Sequence, residues 1–345
     1  MNEAKFILSK SKLLDQVKKL TNLGLKVSYS YKTNRIVGDL LQELSPEVDL
    51  SIHAFEEIEE IKDKSKIHFF TQAELEDELK KILELGIRSF VVDNEVDFKR
   101  LIKVIEETKI KIDLSLRMKF QEHRVGTGKY FVYGMPAKKV NELILEVSDN
   151  EFIGKLGIHL HRKSQNTSEW EIVEELEDSI SEEVLGRLDF VNLGGGLPSV
   201  YRSSSVDVYD YVFGKLKKAK EWLEERNIET IIEPGRFLAA PCIVLETEVI
   251  QKYDNNLVIN TTIYNGSSDN IVTGTKMLIE GELNDGGNEF LIKGNSPTRD
   301  DIFRYKVRLR EDIGVGDKIV FLNAGAYNYT TDFFGYKKLE TEVVE

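Results

Sequence analysis

The spacing of apolar and polar residues follows two different patterns along this chain, one in its first two thirds and another in its last third. Between Leu25 and Arg236, short β-branched or aromatic runs are each followed by a longer stretch in which apolar residues recur at helical spacing. Eight such pairs succeed one another, and the predicted strands are LKVSYSYK (25–32), VDLSI (48–52), IHFFTQ (67–72), SFVVDN (89–94), KIDLSLRMK (111–119), FIGKLGIHLH (152–161), LDFVNL (188–193) and ETIIEP (229–234). Alternation over this length fits a TIM barrel or a doubly wound sheet, and eight units favour the (β/α)8 TIM barrel.

The stretches between the predicted strands are amphipathic. Examples are NRIVGDLLQEL (34–44), ELEDELKKILELG (74–86) and EVDFKRLIKVIEE (95–107), which carry apolar residues three or four positions apart. Gly86 supplies a helix stop at the end of the second stretch. The spacing therefore predicts helices between consecutive strands.

The spacing pattern changes after Pro241, where β-rich segments follow one another without long helices. These segments are CIVLETEVIQ, NLVINTTIY, TKMLIEGEL, EFLIKG, YKVRLR and DKIVFLNAGAY, and the clusters NDGGN (284–288) and GVGD (314–317) mark turns between them. The pattern predicts a barrel over residues 25–240 and an antiparallel β domain over residues 241–345. Residues 1–24 are expected to join the β domain and the base of the barrel.

Composition narrows the possible partners. The 47 basic and 60 acidic residues give a net charge of -13, which argues against a nucleic-acid surface or an anionic membrane as a partner. Cys242 is the only cysteine, so an intrachain disulfide is impossible and a reducing, cytoplasmic setting is expected. No apolar run long enough to span a bilayer and no signal-peptide pattern occur, which also predicts a protein without a membrane partner.

Unusual residues cluster where the predicted barrel strands end, which is the end that carries the active site in this fold. Lys32 closes the first strand, where a desolvated lysine amine can act as a nucleophile, although a solvated lysine is the ordinary alternative. Gly194, Gly195 and Gly196 follow the seventh strand, and glycines there let backbone N–H groups approach a phosphate. The eighth strand is followed by EPGR, which places Glu233 at the barrel mouth and Arg236 near the same phosphate.

Two histidines, His159 and His161, end the sixth strand and point to the same side, because strand side chains repeat with a period of two. A metal pair would need a third ligand at convincing spacing, and the sequence offers neither an HExxH motif nor a carboxylate facial set. We therefore predict no metal site. A flat imidazole that stacks on a cofactor ring is the preferred functional interpretation, and a pair of core histidines is the structural one.

These motifs, taken in order, resemble the fold-type III pyridoxal-phosphate decarboxylases, the family of ornithine, diaminopimelate and biosynthetic arginine decarboxylases. The resemblance spans nearly the whole chain and implies an alanine-racemase-like arrangement of barrel and β domain, with pyridoxal 5'-phosphate as cofactor. YSYKTN is similar to the family segment Y-x-V-K-x-N, which makes Lys32 the counterpart of the Schiff-base lysine. It also implies that the amine of Lys32 carries the cofactor.

The resemblance assigns roles to further residues. HRKSQ is similar to H-x-G-S-Q, which implies ring stacking by His161 and a phosphate contact by Ser164. The remaining matches are the barrel arginine Arg117, the phosphate glycines Gly194, Gly195, Gly196 and Gly235, the phosphate arginine Arg236, the pyridine-nitrogen partner Glu233, and Tyr327 of the late G-A-Y. Related racemases carry an arginine in place of the glutamate, so Glu233 implies decarboxylation of an amino acid. The family also implies a homodimer with active sites at the interface.

The sequence departs from the family in its β-rich third. The segment that supplies a catalytic cysteine and an acid to the neighbouring subunit is most similar to GNSPTRDD (294–301), which has Pro297 at the cysteine position. Asp301 is kept as a predicted catalytic residue, and Arg299, Asp300 and Asp301 are the predicted substrate residues. Thr261 takes the place of an aspartate that ornithine decarboxylases carry, so the side chain of the substrate is left open among ornithine, lysine, arginine, diaminopimelate and carboxylated polyamines.

Other interpretations of the same residues remain open. A catalytically silent, cofactor-binding regulatory homologue is suggested by the altered substrate segment. An amino-acid racemase on the same barrel is disfavoured by Glu233. A lysine aldolase would need Lys32 but no pyridoxal phosphate and no β domain. His53, Arg162 and Lys163 at the barrel mouth could contact an anionic substrate group, but solvated loop charges are their simpler explanation.

Overall fold

The structure is a computed structural model that describes residues 3–119, 133–202, 208–328 and 333–345. It contains two compact units. One consists of the described residues of 1–16, 199–206 and 236–345, and the other of those of 17–198 and 207–235. The folding domains expected at 1–24, 25–240 and 241–345 remain a prediction.

The chain begins with a strand and a helix, β1 (Lys5–Ser9) and α1 (Lys10–Thr21), and then enters a closed barrel of eight parallel strands. The barrel strands are β2 (Lys26–Ser30), β3 (Asp49–Ile52), β4 (Ile67–Thr71), β5 (Ser89–Val92), β6 (Ile112–Arg117), β7 (Ile153–His159), β8 (Phe190–Asn192) and β9 (Glu229–Ile232). Each strand pairs with its sequence neighbours, and β2 pairs with β9 to close the ring. All eight predicted strands are present, and the predicted TIM barrel is confirmed.

Helices connect the strands. They are α2 (Arg35–Leu44), α3 (Phe55–Ile58), α4 (Glu76–Glu84), α5 (Glu95–Thr108), α6 (Ala137–Val147), α7 (Ile172–Ser179), α8 (Glu182–Leu185) and α9 (Val208–Glu224). In α5 the Asn94 side chain accepts hydrogen bonds from the first free backbone N–H groups, and the buried residues Phe98, Leu101 and Ile105 lie on one face. The other helices with apolar residues at this spacing bury one face in the same way.

The barrel interior is tightly packed at one glycine. A Cβ added to Gly157 would lie 2.5 Å from the Phe190 ring, so the missing side chain in β7 makes room for an aromatic side chain in β8. Tyr29, Phe69 and Phe90 are also completely buried. The strands are thus held by close side-chain packing as well as by their ladders.

The N-terminal ends of the first strands carry a charge cluster around the buried Asp49. Asp49 accepts from His68 at 3.1 Å and forms ion pairs with Lys26 at 3.0 Å and Lys66 at 3.4 Å. Burial opposes ionisation of Asp49, but the hydrogen bond and charge of His68 and the charge of Lys26 outweigh it and lower the pKa of Asp49 to about 2. The cluster lies at the opposite end of the strands from Lys32, so its contribution is to the stability of the barrel.

The second unit is built on an eight-stranded sheet. Its remaining elements are the helices α10 (Arg236–Cys242), α11 (Ile263–Gly266) and α12 (Ser268–Thr273) and the strands β10 (Ile243–Tyr253), β11 (Asn256–Ile259), β12 (Leu278–Ile279), β13 (Asn288–Lys293), β14 (Ile302–Leu309), β15 (Lys318–Leu322) and β16 (Glu340–Val344). The order is β12-β15-β10-β11-β13-β14, and β1 pairs with β10 and β16. The predicted β-rich domain is confirmed, but its sheet is mixed rather than purely antiparallel, because β1–β16 and β11–β13 are parallel pairs.

One predicted strand ends early and continues as a helix. NLVINTTIY forms β11 only as far as Ile259, after which α11 begins at Ile263. The Asn265 side chain accepts from the backbone and hydroxyl of Thr262, and Asp301 accepts from the Ile263 N–H. These side chains bind the backbone groups that a strand would have used in its ladder, which explains the change.

Candidate active site

Six polar side chains surround the C-terminal end of the barrel, each supplied by the end of a different strand or the residues after it. They are Lys32 after β2, His53 after β3, Arg117 at the end of β6, His159 at the end of β7, Asn192 at the end of β8 and Glu233 after β9. Parallel strands bring all their carboxyl ends to one face of a barrel, which explains why residues so far apart in sequence share a site.

The Glu233 carboxylate lies at the centre of a hydrogen-bond network. Its Oε1 accepts from the Ser51 hydroxyl at 2.8 Å and from the Asn192 amide at 2.9 Å, and its Oε2 lies 2.8 Å from His159 Nε2. Burial alone would raise the pKa of this carboxyl, but the interactions with His159 and the hydrogen bond from Ser51 outweigh burial and hold the pKa of Glu233 well below its usual range. Glu233 is therefore a fixed negative charge at the barrel mouth.

Lys32 lies in a short 3-10 turn, Tyr31–Thr33, that directly follows β2. The turn is anchored on both sides, because Tyr31 and Thr33 are buried and the Asn34 side chain caps α2. Lys32 itself is exposed to solvent, although nearby protein atoms partly desolvate its amine. Burial lowers the pKa of Lys32, the Glu233 and Glu57 carboxylates oppose this shift, and the charge of Arg117 adds to it. A lowered pKa raises the fraction of neutral amine, which is the nucleophilic form.

Four aromatic rings form a continuous row across the mouth. His53 stacks on Phe70 at 4.6 Å, Phe70 meets His159 edge to face at 5.1 Å, and His159 lies parallel to His161 at 6.5 Å. Burial lowers the pKa of His53 to about 3 and lowers the pKa of His161 well below its usual value. The histidines at the mouth are therefore neutral rings near pH 7. In the described part of the chain no cluster of three or more potential metal ligands occurs.

Arg117 is the arginine among the six polar side chains at the end of the barrel. Its guanidinium lies 5.3 Å from the centre of the Tyr133 ring. Burial lowers the pKa of Arg117, while the Asp93 and Glu233 carboxylates oppose that shift. An arginine stays charged despite such a shift, so Arg117 provides positive charge beside Glu233.

The glycine turn after β8 requires glycine for two separate reasons. Gly194 and Gly196 have φ values of +66° and +99°, which other residues rarely adopt. A Cβ on Gly194 would also lie 1.8 Å from the Leu160 carbonyl oxygen. Gly195 donates its N–H to His161 Nδ1 at 3.4 Å, and Asn192 accepts the Gly194 N–H at 2.9 Å. The turn is thus held close to the ends of both β7 and β8.

We expect Gly194→Ala to lower the free energy of unfolding by at least about 2 kcal/mol, because the new methyl group combines a strained φ with a backbone clash. Urea denaturation of both proteins measures the difference. Gly214→Ala is the matched control: Gly214 lies in α9 with no atom within 4 Å of the added Cβ, so the change should stabilise by about 0.5–1 kcal/mol. Equal stability of the two variants would contradict the role given to Gly194.

Two other predicted cofactor residues lie in the same unit. Gly235 follows Glu233 by two positions, and a Cβ there would lie 2.2 Å from the Thr33 hydroxyl, so the glycine lets the chain pass beside the lysine turn. Ser164 lies exposed in the loop after β7. Their roles toward a phosphate remain predictions.

Arg236 and Tyr327, the remaining predicted phosphate residues, belong to the other unit. The Arg236 guanidinium forms a bidentate ion pair with Asp269, at 2.6 and 2.9 Å, and donates to the Tyr201 hydroxyl at 3.0 Å. It also lies 5.3 Å from the centre of the Tyr327 ring. The structure thus places Arg236 and Tyr327 together. Two of the Arg236 hydrogen bonds, however, go to Asp269, a partner that the sequence did not predict.

The predicted substrate residues divide into two groups by exposure. Asp301 is completely buried, and its two oxygens accept from the backbone N–H groups of Ile263 and Ser296 at 2.7 and 2.9 Å. These bonds help to shape the 294–301 loop, and the catalytic role of Asp301 remains a prediction. Arg299 and Asp300 are almost fully exposed and lie within ion-pair distance of each other. Nothing within the described part of this unit brings those two to a reacting centre.

The sequence did not predict which residues form hydrogen bonds with Glu233. The three are Ser51, Asn192 and His159. Each is the third residue of its strand or its last residue, and each is completely buried although it is polar. A polar residue that faces the barrel interior near a strand end was a signal in the sequence. It could not be interpreted without knowing which partner it meets across the barrel.

The chain matches known proteins in both sequence and fold. The family described as pyridoxal-dependent decarboxylase, pyridoxal binding domain, matches residues 11–240, which is most of the chain. A diaminopimelate decarboxylase of Pseudomonas aeruginosa is 26% identical over 200 residues, which cover 54% of this chain and 47% of that protein. The chain therefore spans about half the length of the first curated relatives that it matches.

Two further matches extend over nearly the whole chain. Antizyme inhibitor 2 of Xenopus laevis is 22% identical over 349 residues, covering 91% of this chain and 74% of that protein. A crystal structure of diaminopimelate decarboxylase from Helicobacter pylori, complexed with L-lysine, superposes with a TM-score of 0.82 at 21% identity and covers 100% of this chain and 92% of that one. At this identity the superposition shows a shared fold. No helix in the described ranges has the length and apolar character needed to cross a bilayer.

Proposed function

Since the chain belongs to the pyridoxal-dependent decarboxylase family, we propose that it removes the α-carboxylate of an amino acid as carbon dioxide. The observation that carries the proposal is the placement of Lys32 and Glu233 at the same end of one barrel, where the charge of Glu233 acts on the Lys32 amine. Pyridoxal 5'-phosphate, when bound, supplies an electron sink for the electrons of the broken bond.

The residues present fit that cofactor. The glycine turn 194–196 packs so closely on neighbouring residues that a Cβ at any of its three positions would lie 3.0 Å or less from a protein atom. A turn without side chains suits the close approach of a phosphate to backbone N–H groups. Glu233 is an ionised acceptor that suits a protonated ring nitrogen, and His161 offers a flat, neutral face. Lys32 provides an accessible amine with a lowered pKa. The donor set therefore matches a phosphate at one point, a cationic ring nitrogen at another and an aldehyde at a third.

We assign a role to each residue. Lys32 holds the cofactor and, once free, accepts or delivers a proton at its Nζ. Glu233 holds a proton on the ring nitrogen by charge and hydrogen bonding, and His161 supports the face of the ring. Ser164, Gly235, Arg236 and Tyr327 are proposed to complete the phosphate contacts, with Arg117 as the barrel arginine.

The proposed substrate is a basic or dicarboxylic amino acid, such as ornithine, lysine, arginine, diaminopimelate or a carboxylated polyamine. The lysine and diaminopimelate named with the relatives above support this class. We also propose a cytoplasmic homodimer, in which the exposed Arg299 and Asp300 meet the substrate of the neighbouring subunit. Light scattering during size-exclusion chromatography measures the mass, and a monomer that turns over substrate at full rate would contradict the shared site.

The experiment that tests the reaction is a screen of these five substrates for carbon dioxide release. We expect the purified protein with added cofactor to absorb visible light and to release carbon dioxide from at least one of them. Chiral analysis of the recovered amino acid detects racemisation, and a protein that stays colourless after cofactor addition would favour the lysine aldolase. Absence of release from the whole panel by a coloured protein would refute the decarboxylase.

A regulatory homologue is the second candidate, and two observations favour it. The match to an antizyme inhibitor covers 91% of the chain, so its relatives include a protein named for inhibition. Pro297 stands at the position of the family's catalytic cysteine. If this candidate holds, the protein should bind the cofactor through Lys32 and yet turn over none of the panel, so colour without turnover separates the two functions.

A further inference from the structure

The Glu233 carboxylate accepts hydrogen bonds from side chains of three other strands. Ser51 of β3, Asn192 of β8 and His159 of β7 are each completely buried, and Glu233 itself is 4% exposed. Ser51 and Asn192 both bind Oε1, whereas His159 alone binds Oε2 among the described residues. A carboxylate oxygen can accept two hydrogen bonds, so Oε2 retains capacity for one more donor.

The protonation of His159 follows from its neighbours. A carboxylate is only an acceptor, so the Nε2 atom at 2.8 Å from Oε2 must carry a hydrogen. Nδ1 is buried and has no hydrogen-bond partner within the described ranges. A second proton on Nδ1 would be a buried, unpaired donor, which is costly. His159 is therefore the neutral Nε2–H tautomer.

The packing of the ring keeps that N–H aimed at Glu233. Phe70 meets the His159 ring edge to face, at 86°, on one side, and the His161 ring lies parallel to it at 9° on another. The His159 side chain is completely buried beside these rings, so close packing restricts its rotation. Its position thus fixes the direction of Oε2.

We propose that His159 is a positioning residue, whose Nε2–H orients Glu233 so that Oε2 is the oxygen that receives the cofactor's ring N–H. This inference rests on the proposed function for the partner of Oε2, while the tautomer and the His159–Glu233 bond stand without it. Ser51 and Asn192 hold Oε1 and keep the carboxylate from rotating about its axis.

The charges around the pair set the pH range in which it can be tested. The groups that act on His159 or Glu233 are Arg117, His53, His68, His161 and Lys32. Burial lowers the pKa of His159, and Glu233 opposes this shift without reversing it. Its single proton should therefore stay on Nε2 throughout the physiological range.

The first test uses the unmodified protein without cofactor. Long-range ¹H–¹⁵N correlation spectra of histidine-labelled protein distinguish Nε2–H, Nδ1–H and doubly protonated rings, and the chain has only five histidines. His159→Gln identifies the signals of His159 by their loss. We expect a neutral Nε2–H ring at pH 7 and at pH 8. A neutral Nδ1–H ring or a doubly protonated ring at pH 7 would overturn the proposal.

The second test compares two substitutions in the enzyme with cofactor. His159→Gln can still donate to Oε2, whereas His159→Phe keeps a flat ring and loses the donor. We expect His159→Phe to lower kcat about tenfold or more with KM changed less than about threefold, and His159→Gln to recover most of kcat. The visible absorbance should shift with pH in His159→Phe alone.

A matched control separates positioning from simple loss of a buried pair. His68→Phe also removes a histidine–carboxylate bond inside the barrel, but at the far strand ends beside Asp49. It should lower stability and leave the absorbance unchanged, because the charge of His68 has the smallest effect among the groups that act on the pKa of His159. Equal losses of kcat in both phenylalanine variants, or no rescue by His159→Gln, would refute the proposal. If Lys32→Ala keeps the colour, the proposed function fails instead, and the cofactor-free spectra still decide the His159 tautomer.

Discussion

Lys32→Ala protein is expected to remain colourless after addition of pyridoxal 5'-phosphate and to lose kcat by on the order of 10³-fold or more. Lys32 is the lysine at the end of β2 with a lowered pKa, and its removal takes away both the attachment point and a proton donor. Visible absorbance and carbon dioxide release, measured on the same sample, report the two losses separately. The effect should be the largest of any single substitution in the barrel.

Lys155→Ala is the control for this experiment. Lys155 is an exposed lysine near the start of β7, where it lies 3.8 Å from Glu229, and it is far from the strand ends that carry the site. Its substitution should leave colour and turnover intact. Full colour and turnover in Lys32→Ala would show that another amine carries the cofactor.

Glu233→Gln is expected to lower kcat on the order of 10²-fold while the protein stays folded and coloured. Glutamine keeps the shape of the side chain but removes the negative charge that would hold a proton on the ring nitrogen. The amide also changes the network, because its NH₂ group cannot accept from a donor. The best arrangement turns the NH₂ toward His159, whose ring must then accept at Nε2 and carry its proton on Nδ1.

This second prediction therefore has a spectroscopic readout as well as a kinetic one. The histidine spectra of Glu233→Gln should show His159 as Nδ1–H, the reverse of the unmodified protein. Glu233→Ala is expected to be far less stable, because it leaves three buried donors without their acceptor. Unchanged kcat in a folded Glu233→Gln protein would contradict the assignment of the ring-nitrogen partner.

The sequence predicted the barrel well because local signals were strong and consistent. Each strand was a short β-branched or aromatic run, and the stretches between the strands had apolar residues at helical spacing. Lys32, Glu233 and the three glycines were also predictable, since their position after successive strands defines one face of a barrel. These features depend on nearest neighbours in sequence or on the fold class alone.

The hydrogen-bond network was not predictable for the opposite reason. Ser51 and Glu233 are 182 positions apart, and Asn192 and His159 are 41 and 74 positions from Glu233. Their meeting depends on the closure of the ring by β2 and β9 and on which side chains point inward. In the sequence His159 stood out only as one member of a pair with His161, whereas the structure makes it a partner of Glu233.

The β-rich unit was harder to predict because its polar side chains compete with the ladder. Thr262 and Ile263 looked like the end of a strand, but the Asn265 side chain binds the Thr262 backbone N–H and α11 begins at Ile263. Asp301 looked like a substrate residue because of its place in the motif, and burial between two backbone N–H groups gives it a different setting. Motif position predicted where these residues lie in the chain, but not which groups they contact.

Asn192 has a consequence for anyone who redesigns this barrel. Its side-chain NH₂ group donates to Glu233, and its side-chain oxygen accepts from the Gly194 N–H. One small side chain therefore connects the carboxylate to the glycine turn. Substitutions on the two sides of Asn192 should therefore be non-additive in a double-mutant cycle, because each displaces the same amide. A variant library that changes the glycine turn to admit another anion would need compensating changes around the Glu233 carboxylate. The turn and the carboxylate should therefore be varied together.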